Sequence, residues 1–329
     1  MDQASPAAPS QPIVERFDAI IIGSGQAGNP LAHNLADAGW RVALIEREHL
    51  GGSCVNYGCT PTKAMLASAQ IAHEVRRGQS MGVHAGQVNV NLSEIVARKN
   101  RLVKEWRSGQ EHHAASRPNI TLVRGEARFL GPKRVSVEAR ILTAERIFIN
   151  TGTSPLVLPI EGIRDVPYLT NRNVMDLTDI PEHLIVIGGS YIGLEFGQMF
   201  RRFGAQVTVM EYMERIIPLE DEDVSAALQE ALEDEGMVFR LASRAAQVRA
   251  DDAGRIHVTV EERDGGAAQE IVGSHLLLAA GRRPNTDALN LEAAGVKTNR
   301  GWIVVNEFLE TNVPGVYALG DVKGGPAFT

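Results

Sequence analysis

The feature that most constrains the fold of this chain is an internal repeat, in which two copies of one pattern lie 165 residues apart. Each copy has a buried-strand pattern, a glycine-rich turn, a helical pattern and a second strand that ends at a glutamate. The matching positions are Gly23 and Gly188, Gly28 and Gly193, Gly39 and Gly204, and Glu46 and Glu211. Because strand, turn and helix recur together, the sequence predicts an α/β fold that contains two similar units.

Each glycine-rich turn meets the requirements of a dinucleotide-binding turn. In the first copy, Gly23 permits the tight turn, Gly25 lets the backbone approach a ligand, and Gly28 lets helix and strand pack closely. A pyrophosphate then rests on backbone N–H groups at the helix N-terminus, and the terminal glutamate takes ribose hydroxyls. Ordinary α/β turns are a weaker explanation, because the whole context occurs twice. The second copy has Ser190 in the middle position, which is expected to shift its ligand slightly.

The chain has only two cysteines, Cys54 and Cys59, and they directly follow the first unit. A structural disulfide that closes so short a loop would stabilise little, and a metal site would need further soft ligands nearby. A pair that opens and closes fits better, with two buried, inert thiols as the alternative. Residues 60–63 have the pattern of a helix start, so Cys59 is predicted at the positive end of a helix, which stabilises a thiolate.

Two dinucleotide sites beside a redox cysteine pair predict two cofactors that act in series. One cofactor must accept electrons from the other and pass them to the cysteines, which assigns a bound flavin to the first copy and a nicotinamide to the second. Glu211 favours free ribose hydroxyls and would repel a 2′-phosphate, so the sequence predicts NADH in preference to NADPH. The nearby Arg215 keeps that preference moderate and leaves NADPH open.

Composition excludes several other classes of protein. A net charge of -7 argues against nucleic acid or an anionic membrane as the main partner. Residues 1–16 are rich in Pro, Ala, Ser and Gln and predict a disordered leader instead of a signal peptide. Since no apolar run approaches the roughly 20 residues of a membrane span, we expect a soluble, cytoplasmic protein. Adjacent His112 and His113 cannot share one helix face, so no metal site is predicted.

Together these motifs resemble the class I pyridine nucleotide-disulfide oxidoreductases, the family of dihydrolipoamide dehydrogenase, glutathione reductase and mercuric reductase. The segments that carry the resemblance are 51–59, 149–153, 279–285, 317–321 and the two glycine-rich turns. Residues 166–171 and 320–325 are most similar to the mercuric reductase-like branch. The resemblance implies FAD in the first domain and covers residues 18 to 329.

The same resemblance implies roles for individual side chains. Cys59 becomes the thiol next to the flavin, and Cys54 the thiol that meets the substrate. Lys63 and Glu195 resemble the ion pair beside the flavin, and Tyr191 the lid that moves aside for nicotinamide. A solvent-exposed lysine, a first-turn acid and a packed aromatic ring are the plain alternatives. The cofactor-binding residues are Gly23, Gly25, Gly28, Glu46, Gly52, Ser53, Gly152, Gly188, Gly193, Glu211, Gly281, Arg282, Gly320 and Asp321.

Family members continue beyond the Gly320–Asp321 motif into an interface domain that forms the dimer and supplies a His-Glu acid–base pair. None of the nine histidines matches that base. The expected order is a leader (1–16), an FAD domain (17–152 and 281–329) and an NAD(P)H domain (153–280), with the C-terminal interface domain absent. We therefore expect a fragment of a longer, homodimeric parent. The alternative, a short form like the two-domain thioredoxin reductases, places the disulfide in the other domain.

The predicted function is an FAD-dependent NAD(P)H oxidoreductase that passes electrons through Cys54 and Cys59 to an electrophilic acceptor. Soft thiolates suit a soft metal ion such as mercury or copper. A small disulfide of the lipoyl type is the alternative small-molecule acceptor. From a different class, the chain could be a non-catalytic FAD-binding fragment without turnover.

Overall fold

The computed structural model describes residues 14–325 and residue 327. Its α-helices are α1 (Gly28–Asp37), α2 (Gly52–Tyr57), α3 (Cys59–Gly78), α4 (Leu92–Ala115), α5 (Tyr191–Phe203), α6 (Glu222–Asp234) and α7 (Leu291–Ala294). Its strands are β1 (Val14–Ile22), β2 (Val42–Glu46), β3 (Ile120–Arg124), β4 (Ala127–Gly131), β5 (Arg134–Val137), β6 (Arg140–Ile149), β7 (Thr153–Pro155), β8 (Tyr168–Leu169), β9 (His183–Ile187), β10 (Gln206–Met210), β11 (Val238–Arg240), β12 (Ser243–Ala250), β13 (Ile256–Glu262), β14 (Gln269–Gly273), β15 (His275–Leu278), β16 (Arg282–Pro284), β17 (Thr298–Asn299), β18 (Trp302–Ile303) and β19 (Val316–Ala318). Residues 1–13 of the predicted leader lie outside the described residues. In the part of the chain that is described, no helix is long and apolar enough to cross a membrane.

Packing divides the described chain into two compact units. The first contains the described residues of 1–54, 107–153 and 284–329, and the second contains 55–106 and 154–283. The predicted FAD domain includes residues 55–106. In the division by packing, α3 of this segment packs against α5 of the second unit, and the domain bounds stay a prediction. Met65 and Ala69 of α3 lie in the same apolar cluster as Phe196 of α5. Which cofactor each domain binds stays a prediction.

The first unit is a parallel sheet in the order β3-β2-β1-β6-β19, with β5 and β4 continuing antiparallel from the start of β6. The second half of the central strand β1, residues 19–22, is apolar on both faces, as a covered parallel strand must be. Ile20 and Ile22 contribute to one core cluster, and Ile21 to another that includes Ala32 and Ala36 of α1. This alternation is the two-residue period of a strand with both faces buried.

The second unit repeats that arrangement, with parallel strands in the order β11-β10-β9-β15-β8. Leu184 and Val186 of β9 face the cluster that contains α5, while Ile185 and Ile187 face a second cluster. The antiparallel sheet β12-β13-β14 supplies the other side of that second cluster, including Val258. The predicted α/β fold with two Rossmann-like units is thereby confirmed.

A charged cluster on the antiparallel sheet is expected to make the stability of the second unit depend on pH. His257 lies between two carboxylates, with Nε2 3.1 Å from Asp251 Oδ2 and Nδ1 3.0 Å from Glu270 Oε2. Each carboxylate also accepts a hydrogen bond from an arginine: Asp251 from Arg255, and Glu270 from Arg249. Because both ring nitrogens face acceptors, first Glu270 and then Asp251 raise the pKa of His257.

We expect this cluster to stabilise the protein at acidic pH and to lose that effect as pH rises. The folded-state pKa of His257 lies above its unfolded value, so the contribution is complete below the unfolded pKa and disappears through the folded one. The melting temperatures of wild type and His257→Gln, compared between about pH 5 and about pH 9, measure it. The deficit of the variant should be largest at the acidic end. A deficit that is constant or grows with pH would contradict the assignment.

Candidate functional site

The first glycine-rich turn leaves no room for side chains at two of its glycines. Gly23 has a φ of +100°, and a Cβ there would overlap the carbonyl oxygen of Asn150 at the end of β6. A Cβ on Gly28 would overlap the carbonyl oxygen of Gly23. The close approach brings the start of α1 against the ends of β1 and β6. No side chain caps the N-terminus of α1, so its first N–H groups suit an anionic ligand.

The carboxylate of Glu46 is buried at the end of β2 and is fixed by three hydrogen bonds. The backbone N–H and the hydroxyl of Ser24 donate to Oε2 over 3.1 and 2.6 Å. The N–H of Glu48 donates to Oε1 over 2.8 Å. Glu46 therefore holds the glycine-rich turn against the end of β2, at the position predicted for a ribose.

The second turn reproduces this geometry with different residues. A Cβ on Gly188, whose φ is +116°, would come within 2.5 Å of the Ala279 carbonyl oxygen, and one on Gly193 would overlap the Gly188 carbonyl oxygen. Gly189 N–H donates to Glu211 Oε2 over 2.7 Å. Met213 N–H donates to the other carboxylate oxygen over 2.8 Å. Each partner residue lies 165 positions after its counterpart, 24 and 48, in the first unit.

Besides the glycine-rich turn and Glu46, the ends of β6 and β19 contribute residues to the first site. These two strands are parallel neighbours. Asn150 Nδ2 donates to the Gly23 carbonyl oxygen over 3.2 Å, and Thr153 Oγ1 lies 3.3 Å from Asp321 Oδ2. A Cβ on Gly320 would stand 2.9 Å from Asn150 Oδ1. Turn, amide and carboxylate thus meet at the carboxyl edge of a parallel sheet, where ligands bind in open α/β folds.

The first site also contains a buried polar group without a hydrogen-bond partner, which a bound dinucleotide could satisfy. Among the described residues, the hydroxyl of Thr151 is buried and has no hydrogen-bond partner. Such a group carries a desolvation penalty until a partner reaches it. Beside it, Gly152 takes a φ of +63°. The glycine cradle, the uncapped helix and this hydroxyl all suit a polar, phosphate-bearing ligand.

The start of the cysteine segment is fixed to the first turn. Gly52 has a φ of +61°, and a Cβ there would lie 2.7 Å from Gly25 Cα. Gly51 N–H donates to the Ser24 carbonyl oxygen over 3.2 Å. Ser53 follows as an exposed residue of α2. Two of the predicted cofactor-binding residues, Gly25 and Gly52, are therefore in direct proximity.

The two cysteines occupy different helices. Cys54 lies in α2 and is half-buried, whereas Cys59 is exposed and is the first residue of α3. The predicted position of Cys59 at a helix N-terminus is confirmed. Pro61 and Thr62 behind it are buried, which anchors this end of α3 in the second unit. A bond between Cys54 and Cys59 stays a prediction.

The structure pairs Lys63 with Glu195, which lie 132 positions apart in the chain. Lys63 Nζ donates to Glu195 Oε1, and the two side chains are 60% and 40% exposed. Lys63 is on α3 and Glu195 on α5, so the pair results from the packing of those helices. The sequence pattern alone does not bring them together, and their position beside a flavin stays a prediction.

Tyr191 is the first residue of α5, directly after the second turn. Its hydroxyl donates to Glu220 Oε1, and this carboxylate raises the pKa of the Tyr191 phenol.

Gly281 has a φ of +132°, and its carbonyl oxygen accepts from Leu156 N–H over 3.0 Å. Arg282 follows as the first residue of β16.

Several side chains of the site were missed by the sequence reasoning. Ser24, Asn150, Thr153 and Glu220 all bond to predicted residues. Ser24 lies inside the glycine-rich motif, so its position gave a usable signal. Glu220 gave none, because its partner lies on another element. Among the described residues, no group of three or more His, Cys, Asp or Glu side chains is arranged to hold a metal ion.

Comparison with known proteins places these motifs in context. Residues 17–329 match the family model described as pyridine nucleotide-disulphide oxidoreductase. A mercuric reductase of Lysinibacillus sphaericus is 37% identical over 95% of this chain and 57% of its own length. A dihydrolipoyl dehydrogenase of Thermus scotoductus is 38% identical over 95% of this chain and 68% of its own length. This chain therefore spans between about half and two thirds of these relatives.

Solved structures agree with this likeness. The Cu(II) complex of RclA, an HOCl-induced flavoprotein disulfide reductase from Escherichia coli, superposes with a TM-score of 0.85. It is 34% identical, and the match covers 95% of this chain and 68% of that one. The likeness therefore extends over both units.

Proposed function

Because the chain belongs to the pyridine nucleotide-disulphide oxidoreductase family, we propose that it forms the part of a flavoenzyme that carries electrons from NADH to a cysteine pair. Enzymes of this family use FAD and NAD(P)H. The observation that carries the proposal is the matched binding of Glu46 and Glu211, each of which holds a glycine-rich turn ready for a ribose.

FAD is assigned to the first unit. The turn from Gly23 to Gly28 and the start of α1 would hold the pyrophosphate. Glu46 would take the adenosine ribose, and Asp321, beside Thr153, the ribityl chain. When bound there, FAD would supply hydride acceptance from NADH and delivery of the electron pair to the cysteines.

The thiol chemistry is assigned to Cys54 and Cys59. With a disulfide as acceptor, the Cys54 thiolate attacks one sulfur, forms a mixed disulfide and releases the first thiol. The Cys59 thiolate then attacks Cys54 Sγ, which releases the second thiol and forms the Cys54–Cys59 bond. The acceptor thereby gains two electrons and two protons, and the cysteine pair loses two electrons. Cys59 is favoured for the second role by its place at the start of α3.

For the acceptor we propose a soft metal ion. Thiolates bind such ions in preference to hard ones. One relative is named mercuric reductase, and a structural relative is described as a Cu(II) complex. A lipoyl-type disulfide is the second candidate, because a dihydrolipoyl dehydrogenase matches this chain equally well.

The proposal is tested by an anaerobic titration of the purified protein with NADH. We expect a yellow protein that consumes NADH, develops long-wavelength absorbance and recovers its spectrum when Hg(II) or Cu(II) is added. Recovery only with lipoamide would assign the disulfide acceptor instead. A yellow protein that NADH leaves unchanged would favour the non-catalytic fragment. A protein that binds no FAD even when reconstituted would overturn the proposal.

Glu211 is predicted to set the coenzyme preference. Glu211→Gln keeps an amide oxygen as acceptor but removes the negative charge that would face a 2′-phosphate. We expect the ratio of the Kd for NADPH to the Kd for NADH to fall by about fivefold to tenfold. Quenching of protein fluorescence measures both constants, on protein reduced beforehand with dithionite so that neither coenzyme reacts. Glu214→Gln, at an exposed glutamate three positions further on, controls for net charge. An equal change in both variants would contradict the role.

A further inference from the structure

The loop between β10 and α6, residues 211–221, lies directly on the second glycine-rich turn. Ile217 N–H donates to the Gly189 carbonyl oxygen over 2.9 Å. Ile216 and Ile217 are buried in the cluster that contains α5, whereas Leu219 is 91% exposed. One side of the loop is therefore anchored beneath the turn, and its far end is at the surface.

The anchored part of this loop is strained. Ile217 has a φ of +35°, in the left-handed region that a β-branched residue adopts only at an energetic cost. Arg215 Nη2 donates to the carbonyl oxygens of Pro218 and Glu220, each over 3.3 Å. These bonds hold the loop bent, with the Glu220 carboxylate presented to Tyr191.

We propose that Glu220 is a positioning residue that latches Tyr191 across the nicotinamide end of the second site. The inference rests on the proposed function, in which NADH binds at this turn with Tyr191 as its lid. Tyr191 is the first residue of α5, directly after Ser190, and its hydroxyl donates to the Glu220 carboxylate. For the ring to move aside, that bond must break. Glu220 acts through Tyr191 and makes no contact of its own with the coenzyme in this proposal.

The latch has a consequence that separates the two halves of the coenzyme. The adenosine half and the pyrophosphate bind at Glu211 and at the start of α5 without disturbing Tyr191. The nicotinamide half displaces Tyr191 and must break the bond to Glu220. ADP-ribose, which lacks nicotinamide, therefore binds without opening the latch, and it carries the same pyrophosphate charge as NADH.

The experiment compares the Kd of NADH with the Kd of ADP-ribose by anaerobic calorimetry, on protein reduced beforehand with dithionite so that NADH binds without reacting. It uses wild type, Tyr191→Phe, Glu220→Ala and the double variant. Each single variant should tighten NADH about threefold to tenfold, as expected for one exposed hydrogen bond to a charged group. ADP-ribose binding should not change. The double variant should equal either single variant, because both remove one bond. Glu214→Ala, an exposed glutamate of the same loop, controls for charge.

The outcomes separate the latch from the proposed function. If wild type binds both ligands and the variants shift both constants equally or neither, the latch is wrong and the nucleotide site stands. If no protein binds either ligand, the proposed site fails and the latch with it. Additive effects in the double variant would also overturn the latch.

A readout without any coenzyme is the titration of the Tyr191 phenol. Glu220 raises the pKa of that phenol above its ordinary value, so Glu220→Ala should lower it. The near-ultraviolet absorbance of tyrosinate in wild type minus that in Tyr191→Phe isolates this residue among the five tyrosines. The same difference taken in the Glu220→Ala background should appear at lower pH. An unchanged titration would mean that the bond does not persist in solution.

Discussion

Replacing Cys59 with serine is expected to reduce electron transfer to the acceptor by about a thousandfold or more, since a hydroxyl neither forms a disulfide nor ionises near neutral pH. The long-wavelength band after NADH should vanish with it. Reduction of the bound flavin by NADH should continue at a similar rate, because Cys59 stands at the start of α3, outside both glycine-rich turns. Stopped-flow absorbance separates the two half-reactions.

Cys54→Ser is the matched control for this variant. It should abolish turnover to the same degree, because Cys54 is assigned to meet the acceptor, but it should keep the long-wavelength band. A band that persists in Cys59→Ser and disappears in Cys54→Ser would reverse the two assignments. Turnover that survives in both variants would show that the cysteines do not carry the electrons.

Gly193→Ala is expected to weaken NADH binding by about a hundredfold and to destabilise the second unit by about 1–3 kcal/mol. The added Cβ would overlap the Gly188 carbonyl oxygen, so α5 must move away from the end of β9. That movement displaces the N-terminus of α5. It also displaces the Gly189 N–H, which donates a hydrogen bond to Glu211. FAD content should not change, because the first turn lies in the other unit. Calorimetric Kd values and the flavin spectrum measure the two effects.

Gly109→Ala is the control for this variant, because the added methyl group meets no other atom. Gly109 lies within α4, and a Cβ there meets no atom within 4 Å. Gly109→Ala should raise the free energy of unfolding by about 0.4–1 kcal/mol, because alanine loses less backbone entropy in a helix. Chemical denaturation measures it. If Gly193→Ala behaves like Gly109→Ala, the close approach of helix and strand does not limit the second site.

Local patterns in the sequence were sufficient for the framework of this fold. The apolar run at residues 19–22, the glycines after it and Glu46 each have a direct physical signature, and all lie where the repeat predicts. The position of Cys59 at the start of α3 followed from Pro61 in the first helical turn. These features depend only on neighbours along the chain, which is why sequence reasoning reaches them.

Contacts between residues far apart in the chain could not be predicted from the sequence. The grouping of residues 55–106 with the second unit depends on side chains of α3 meeting those of α5, and no local pattern encodes that choice. Glu220 is similarly identified only by what the fold brings to it. At the N-terminus, composition averaged over residues 1–16 concealed the strand β1, whose range starts at Val14. The Glu15 side chain of this strand forms an ion pair with Arg140.

The two backbone hydrogen bonds that Glu211 accepts have a consequence for the coenzyme preference proposed for this residue. Both carboxylate oxygens already accept backbone N–H groups, from Gly189 and Met213. A variant that simply discards the acid to admit NADPH leaves two amides without acceptors and loosens the loop that carries them. A successful conversion must therefore supply new acceptors together with the new charge. A change of preference from NADH to NADPH would then require coordinated substitutions in the whole loop, because a variant with only one of them would be less stable.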